Sequence, residues 1–134
     1  LRDSSSGLSS STAAMATSTT IGSAKMAAAR LAGKADDAPS HADTETTLPE
    51  LKARIESVIG YLNSFSQADF ADAAERSITQ PRWNGKTLTG SEFLIEHAVP
   101  NLYFHVTTAY SILRHNGVDL GKADFLGPQS YRDK

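Results

Sequence analysis

The chain has 134 residues with 13 lysines and arginines against 15 acids, a formal net charge of −2, an isoelectric point near 6.1 and no cysteine. That length suits one domain, the charge balance gives no electrostatic reason to bind nucleic acid or an anionic membrane, and disulfides, thiolate chemistry and zinc ribbons are excluded, which is compatible with a cytoplasmic protein. No apolar run approaches the ~18–20 residues of a membrane span, and the opening has neither the apolar core of a cleavable signal nor the Arg-rich character of a transit peptide.

The first residue is Leu1 rather than Met, as a trimmed or wrongly assigned start would give. Residues 1–12 are Ser-rich and aperiodic, which predicts a disordered tail. A helix is expected over Thr12 to Leu31, strongest in SAKMAAARLAG, with Gly33 as its stop; the run Thr17 to Thr20 and Gly22 weaken its first half. Lys34 to Thr46 reads as a surface loop. His41, Asp37, Asp43 and Glu45 within it are expected to be solvated, since EF-hand spacing is missing and His41 has no paired histidine.

Thr47-Leu48-Pro49-Glu50 has the form of a capping box with proline in the first turn. Leu51, Ile55, Val58, Ile59, Leu62 and Phe65 follow at helical spacing to about Ser64, with Lys52, Arg54 and Glu56 on the wet face. Ser66 with Asp69 starts a short helical turn through Phe70, Ala71 and Ala74. Between Arg76 and Leu88, Asn84-Gly85 flanked by short β-prone runs predicts a hairpin. Pro81 limits it to a small edge ribbon, and Trp83 is placed to cover one bundle end.

The longest apolar stretch runs from Thr89 to Gly117 and carries three of the four histidines. Thr89 with Glu92 forms a second capping box, Arg114 and His115 suit the negative end of the helix dipole, and Asn116-Gly117 supplies the stop. Pro100 predicts a kink near Glu96 to Pro100, because a mid-helix proline removes a hydrogen bond at a cost of ~3 kcal/mol. On a regular helical wheel Leu94, Ile95, Ala98, Val99, Leu102, Val106, Ala109, Ile112 and Leu113 share one arc broad enough to touch two neighbours, with Tyr103 and Tyr110 at its margin as packing residues. His105 falls inside the arc, Asn101 at its edge, and His97, His115, Phe93 and Phe104 farther out. Beyond the helix, Val118 to Lys134 forms a tail whose Leu120, Phe125 and Leu126 are expected to pack back on the bundle.

Three strings, AKMAAARLAG, ADTETTLPELKARI and above all PNLYFHVTTAYSILRHNGVDLGKADFLG, make the segment Ala24 to Gly127 resemble the DUF1993 family within the DinB/YfiT-like superfamily of helical bundles. The resemblance implies an all-α, up-down, DinB-like bundle over residues 13–127, with about three main helices plus a short β-hairpin, and a C-terminal tail over 128–134. The family's first helix has no counterpart in this chain. Metalloenzymes of the superfamily hold a divalent metal such as zinc or nickel with three histidines, one from the second helix and two at i, i+4 from the last long helix. Here that pair corresponds to Asn101 and His105, and the matching second-helix region, Thr17 to Met26, offers no histidine. What the resemblance implies is therefore a metal scaffold with a degenerate ligand set.

For His105 three roles stand open: a buried histidine satisfied by a neighbouring hydroxyl or carbonyl, which is preferred, a ligand contact, or a metal ligand. Asn101 is placed to satisfy the carbonyl freed by Pro100, and His97 is expected to be solvated. If a pocket exists, Asn101 and His105 line it, with Tyr110 and His97 contributing and a small apolar molecule as the ligand. No nucleophile elbow, P-loop, dinucleotide fingerprint or zinc-protease motif is present. The expected function is a binding or structural module. The alternative is a small-molecule enzyme using His105 as base or, with Asn101, as metal ligand. Apolar surface left open by the missing helix would favour a homodimer.

Overall fold

The computed structural model describes residues 5–132. Helix α1 spans Ser5–Leu31 and α2 spans Leu48–Asn63. A short antiparallel hairpin of β1 (Ser77–Ile78) and β2 (Leu88–Thr89) leads into one continuous helical rod, made of α3 (Gly90–Glu92), a π-helical turn (Phe93–Ala98) and α4 (Val99–His115). A last short helix, α5, covers Lys122–Leu126. The chain is thus a helical bundle with a small hairpin, as expected. None of the described helices is long and apolar enough to cross a membrane.

The first helix is longer than its sequence suggests. Residues 5–12, read as a disordered tail, are helical, while residues 1–4 lie outside the described part of the chain. Serine is only modestly poorer than alanine in a helix, so a Ser-rich run can extend a helix already nucleated downstream. The threonines do not break it either. Thr17, Thr19 and Thr20 donate their hydroxyls to the carbonyls of Ala13, Met15 and Ala16 at 2.8–2.9 Å, which removes their competition with the backbone. The helix closes with Gly33 at φ 70°, Lys34 N–H donating to Ala29 O and Gly33 N–H to Arg30 O.

Helix α2 starts in the expected capping box, with the Glu50 carboxylate accepting from Thr47 N–H at 2.9 Å. Its wet face holds one surprise: Arg54, grouped with Lys52 and Glu56, is only 6% exposed. The loop of residues 34–46 folds back over α2 and supplies the acids that hold it. Ser66 with Asp69 opens a 3₁₀ turn over Gln67–Phe70. Asp69 accepts from Ser66 N–H at 2.7 Å and pairs with Lys34 at 2.5 Å, and these bonds, the lysine's first, hold its carboxyl down at about 2.

The hairpin pairs Ser77 with Thr89 and Ile78 with Leu88. Asn84 and Gly85 both take positive φ, at 51° and 81°, and turn the chain as expected, while Pro81 sits outside the strands in a 3₁₀ turn over Pro81–Trp83. Gly90 marks a close approach, because a Cβ there would lie 1.6 Å from the backbone oxygen of Ala73.

Pro100 produces a π turn immediately before it. One residue more per turn rotates everything upstream by roughly 100° relative to α4, and this overturns part of the helical-wheel reading. Phe93, expected off the apolar arc, is the most deeply buried large side chain at 1% exposure. Ile95, expected on the arc, is 71% exposed, and Leu94 and Val99 are also exposed. His97 turns inward with Phe93. The core therefore sits at the hairpin end of the bundle, where Phe93, Ile78 and Ala98 pack with Ala27, Leu31, Trp83 and Leu88.

Helix α1 is the central element and packs against both α4 and α2, more extensively against α4. The rod ends as expected at a left-handed Gly117, with Val118 N–H donating to Leu113 O and Gly117 N–H to Arg114 O. In the tail, Leu120 and Phe125 are half-buried, and the Phe125 ring meets Tyr110 edge-on at 5.5 Å. Leu126, expected to pack back, points outward, because α5 is only five residues long and spends its one apolar face on Phe125.

The rotated register makes a paired prediction. Phe93→Ala should lower unfolding free energy by ~3–5 kcal/mol, as for other buried aromatic truncations, whereas Ile95→Ala should stay within ~0.5 kcal/mol. Urea unfolding of both variants measures it, and equal losses would refute the register.

Candidate functional site

A polar cleft of ≈ 500 Å³ opens where α1, the π turn, the start of α4 and the 3₁₀ turn after β1 converge. From α1 it receives Ser18, Gly22, Lys25, Met26 and Arg30, which recur at helical spacing along one face. The turn contributes Gln80, Pro81 and Arg82, and the rod contributes Phe93, His97 and Asn101. His41, Asp43 and Arg54 close the opposite end.

His97 is the best-defined group. Its ring stacks on Phe93 with centroids 5.4 Å apart and meets Trp83 edge-on, also at 5.4 Å. The side-chain nitrogen of Gln80, itself buried, lies 3.0 Å from His97 Nε2. In the neutral ring the amide donates to Nε2, which places the imidazole proton on Nδ1. Burial, and then the positive charges of Arg82 and Arg30, push the His97 pKa below the usual histidine value. The expectation of a solvated His97 is corrected by the π turn, which carries the ring inward.

At the far end Arg54 is held by the loop. Its Nη1 donates to Asp43 at 2.5 Å and to Glu45 at 3.0–3.1 Å, and its Nη2 donates to the Ser18 carbonyl at 3.3 Å. One buried guanidinium thereby ties α2, the loop and α1 together. Asp43 adopts φ 55° to reach it. Lys25, buried on α1, donates to the Pro39 carbonyl at 2.5 Å and approaches His41 Nδ1 at 3.4 Å. His41 is half-buried rather than a surface residue, and burial followed by the Lys25 and Arg54 charges lowers its pKa. Its partners lie far from it in sequence, so no local spacing could have disclosed them.

The residues singled out in the sequence separate in space. His97 and Asn101 line the cleft together. The Asn101 side chain makes no hydrogen bond among the described residues, so it does not satisfy the carbonyl freed by Pro100. His105 is half-buried one turn farther along α4, outside the cleft, with its ring edge-on to Phe104 at 5.3 Å. Tyr110 lines a different, mostly apolar groove between α1 and α4 with Ile21, Val106 and Phe125, and its hydroxyl accepts from Arg114 at 3.1 Å. Sequence reasoning missed Arg30, Gln80, Arg82, Lys25 and Arg54. For Lys25 and Arg30 the helical spacing with Met26 and Gly22 was the available signal.

A three-histidine metal site does not fit these residues. Among the described residues no group of three or more His, Asp or Glu side chains converges to hold an ion. Across from His97 and Asn101, α1 presents Ser18, Gly22 and Met26, none of which is a good donor to zinc or nickel. The cations around the cleft also oppose a dication.

The DUF1993 family model, described as a domain of unknown function, matches residues 14–126. Among solved structures the chain is similar to a crystal structure of a DinB family member protein from Shewanella denitrificans, at 56% sequence identity and a TM-score of 0.85. That alignment covers 91% of this chain and 68% of the other. A comparison with curated proteins gives no match.

The His97 environment predicts a pH effect with a definite sign. Because the folded pKa lies below the unfolded value of about 6.5, the neutral ring's contribution is fully present above that value. It is lost as pH falls through the lowered one. Imidazole NMR should show His97 titrating below 6.5. The acid-side loss of stability should be smaller in His97→Gln, and a titration at or above the ordinary value would contradict the burial.

Proposed function

The chain belongs to the DUF1993 family, a domain of unknown function, and we propose that it is a small-molecule-binding module whose ligand occupies the α1/α4/hairpin cleft without a resident metal. The observation that supports this most is the convergence of three separate elements on one cleft with His97 fixed in place and the Asn101 amide left without a partner among the described residues. A cleft of ≈ 500 Å³ is the size of a small-molecule site. A preoriented ring beside a free amide can fix the orientation of a bound molecule. The His97 Nδ1–H and the Asn101 amide act as orienting groups. His105, on the next turn of α4, and Tyr110, in the neighbouring groove, are peripheral in this reading.

Metal analysis of protein purified without a histidine tag, after incubation with zinc and nickel, tests the metal-free part. The expected result is no stoichiometric ion and no change in melting temperature. One tightly held ion per chain, lost in His97→Ala or His105→Ala, would overturn it.

A second reading, a homodimer, is supported by an exposed apolar row on the rod. Ile95, Val99 and Tyr103 are four residues apart; Ile95 and Tyr103 are largely uncovered, as is Phe104 beside them, and Val99 is 41% exposed. We propose a symmetric contact between two copies through this row. Sedimentation over a hundredfold concentration range should show dimer that Ile95→Glu converts to monomer. A monomer throughout would remove the reading.

A further inference from the structure

The cations of the cleft are unequal, and the difference points to the ligand's chemistry. Four basic side chains line it, Lys25, Arg30, Arg54 and Arg82, against a single acid, Asp43. Two already have protein partners for their charge: Arg54 through its Nη atoms to Asp43, Glu45 and the Ser18 carbonyl, with only its buried Nε unpartnered, and Lys25 to the Pro39 carbonyl. Arg30 and Arg82 do not. Neither has a carboxylate or hydrogen-bond partner among the described residues; Arg30 is half-buried, Arg82 is exposed, and both line the same cleft. Burial of Arg30, and then the positive charge of Arg82, disfavour the charge on Arg30.

Two guanidiniums that line one cleft, one of them half-buried, repel each other, and an anion bound between them would relieve both that repulsion and the desolvation of Arg30. The neighbouring groups suit one. The neutral His97 offers its Nδ1–H, Asn101 offers amide donors, and Phe93, Pro81 and Met26 give the cleft an apolar wall for a short carbon skeleton. Planar guanidinium forks match carboxylate and phosphate oxygens in pairs. We propose that Arg30 and Arg82 form the anion-recognition pair of the cleft, and that its ligand is a small dianion or polyanion bearing carboxylate or phosphate groups. This rests on the reading that the cleft is a ligand site and adds the charge of the ligand.

The test is titration of the full chain with inorganic pyrophosphate and, separately, with citrate, followed by calorimetry and amide NMR. Shifts should centre on Gln80, Arg82, His97 and Asn101. Arg30→Gln and Arg82→Gln should each weaken binding about tenfold or more, the loss expected for a charge-assisted hydrogen bond. Arg114→Gln, at the other end of α4, should leave it unchanged, and melting curves confirm that each variant folds. Binding of pyrophosphate alone assigns a phosphate ligand, of citrate alone a carboxylate ligand, and of both the shared anion chemistry. Binding unaffected by either arginine variant, or no binding of either anion, overturns the proposal. A set of neutral small molecules titrated in parallel separates the two levels. If these shift His97 and Asn101 while the anions do not, the anion pair fails and the ligand site stands. If nothing perturbs the cleft, both fail.

Discussion

Pro100 is the constraint on which the rest of the structure depends. It lacks the N–H that would bond to Glu96, and its ring crowds the turn before it. The chain responds with a π turn over Phe93–Ala98 instead of an open kink. The widened turn keeps the helical rod continuous and rotates its first half. Phe93 then enters the core beside Ile78 and Ala98, and His97, on the same face, comes to lie on Phe93 and within reach of Gln80. Core and cleft are consequences of one backbone adjustment, and π turns of this kind are frequent at functional sites.

A second fixture holds the other end of the cleft. Arg54 is too buried to stand alone, and the loop carrying Asp43 and Glu45 supplies the counter-charge. The same guanidinium reaches the α1 backbone at Ser18, so α2 and the loop are registered on the central helix. Such a network stabilises little in net terms against an apolar replacement, but removing one partner leaves a buried charge exposed to its full desolvation penalty. Between these two fixtures α1 carries its cations into the cleft, some compensated by protein groups and some not. That imbalance, more than the cleft's size, distinguishes the site from a filled gap between helices.

The helices were legible in the sequence where capping chemistry was local. Thr47 with Glu50 and Thr89 with Glu92 satisfy each other within four residues, and Gly33 and Gly117 end helices for a backbone reason visible in one residue. The family was legible for the same reason, as a contiguous string. What could not be read was phase and long-range pairing. A wheel drawn at constant pitch through Pro100 misplaced Phe93, Ile95 and His97 together, because a single inserted residue in the turn moves all of them. Arg54 looked solvated because its acids lie nine and eleven residues away in a loop without periodicity. The site was half visible: Asn101 and His97 were named, but the arginines that give the cleft its charge carried no motif.

The rotated register underlies the cleft, and it can be measured directly because the chain has no cysteine of its own. Single cysteines at positions 93, 95 and 97 would be labelled with a thiol reagent under native conditions. Phe93→Cys should react slowest, His97→Cys at an intermediate rate and Ile95→Cys nearly as fast as in the unfolded chain. If Ile95→Cys is protected while Phe93→Cys and His97→Cys react freely, the helix runs through Pro100 at regular pitch, and the cleft described above does not form.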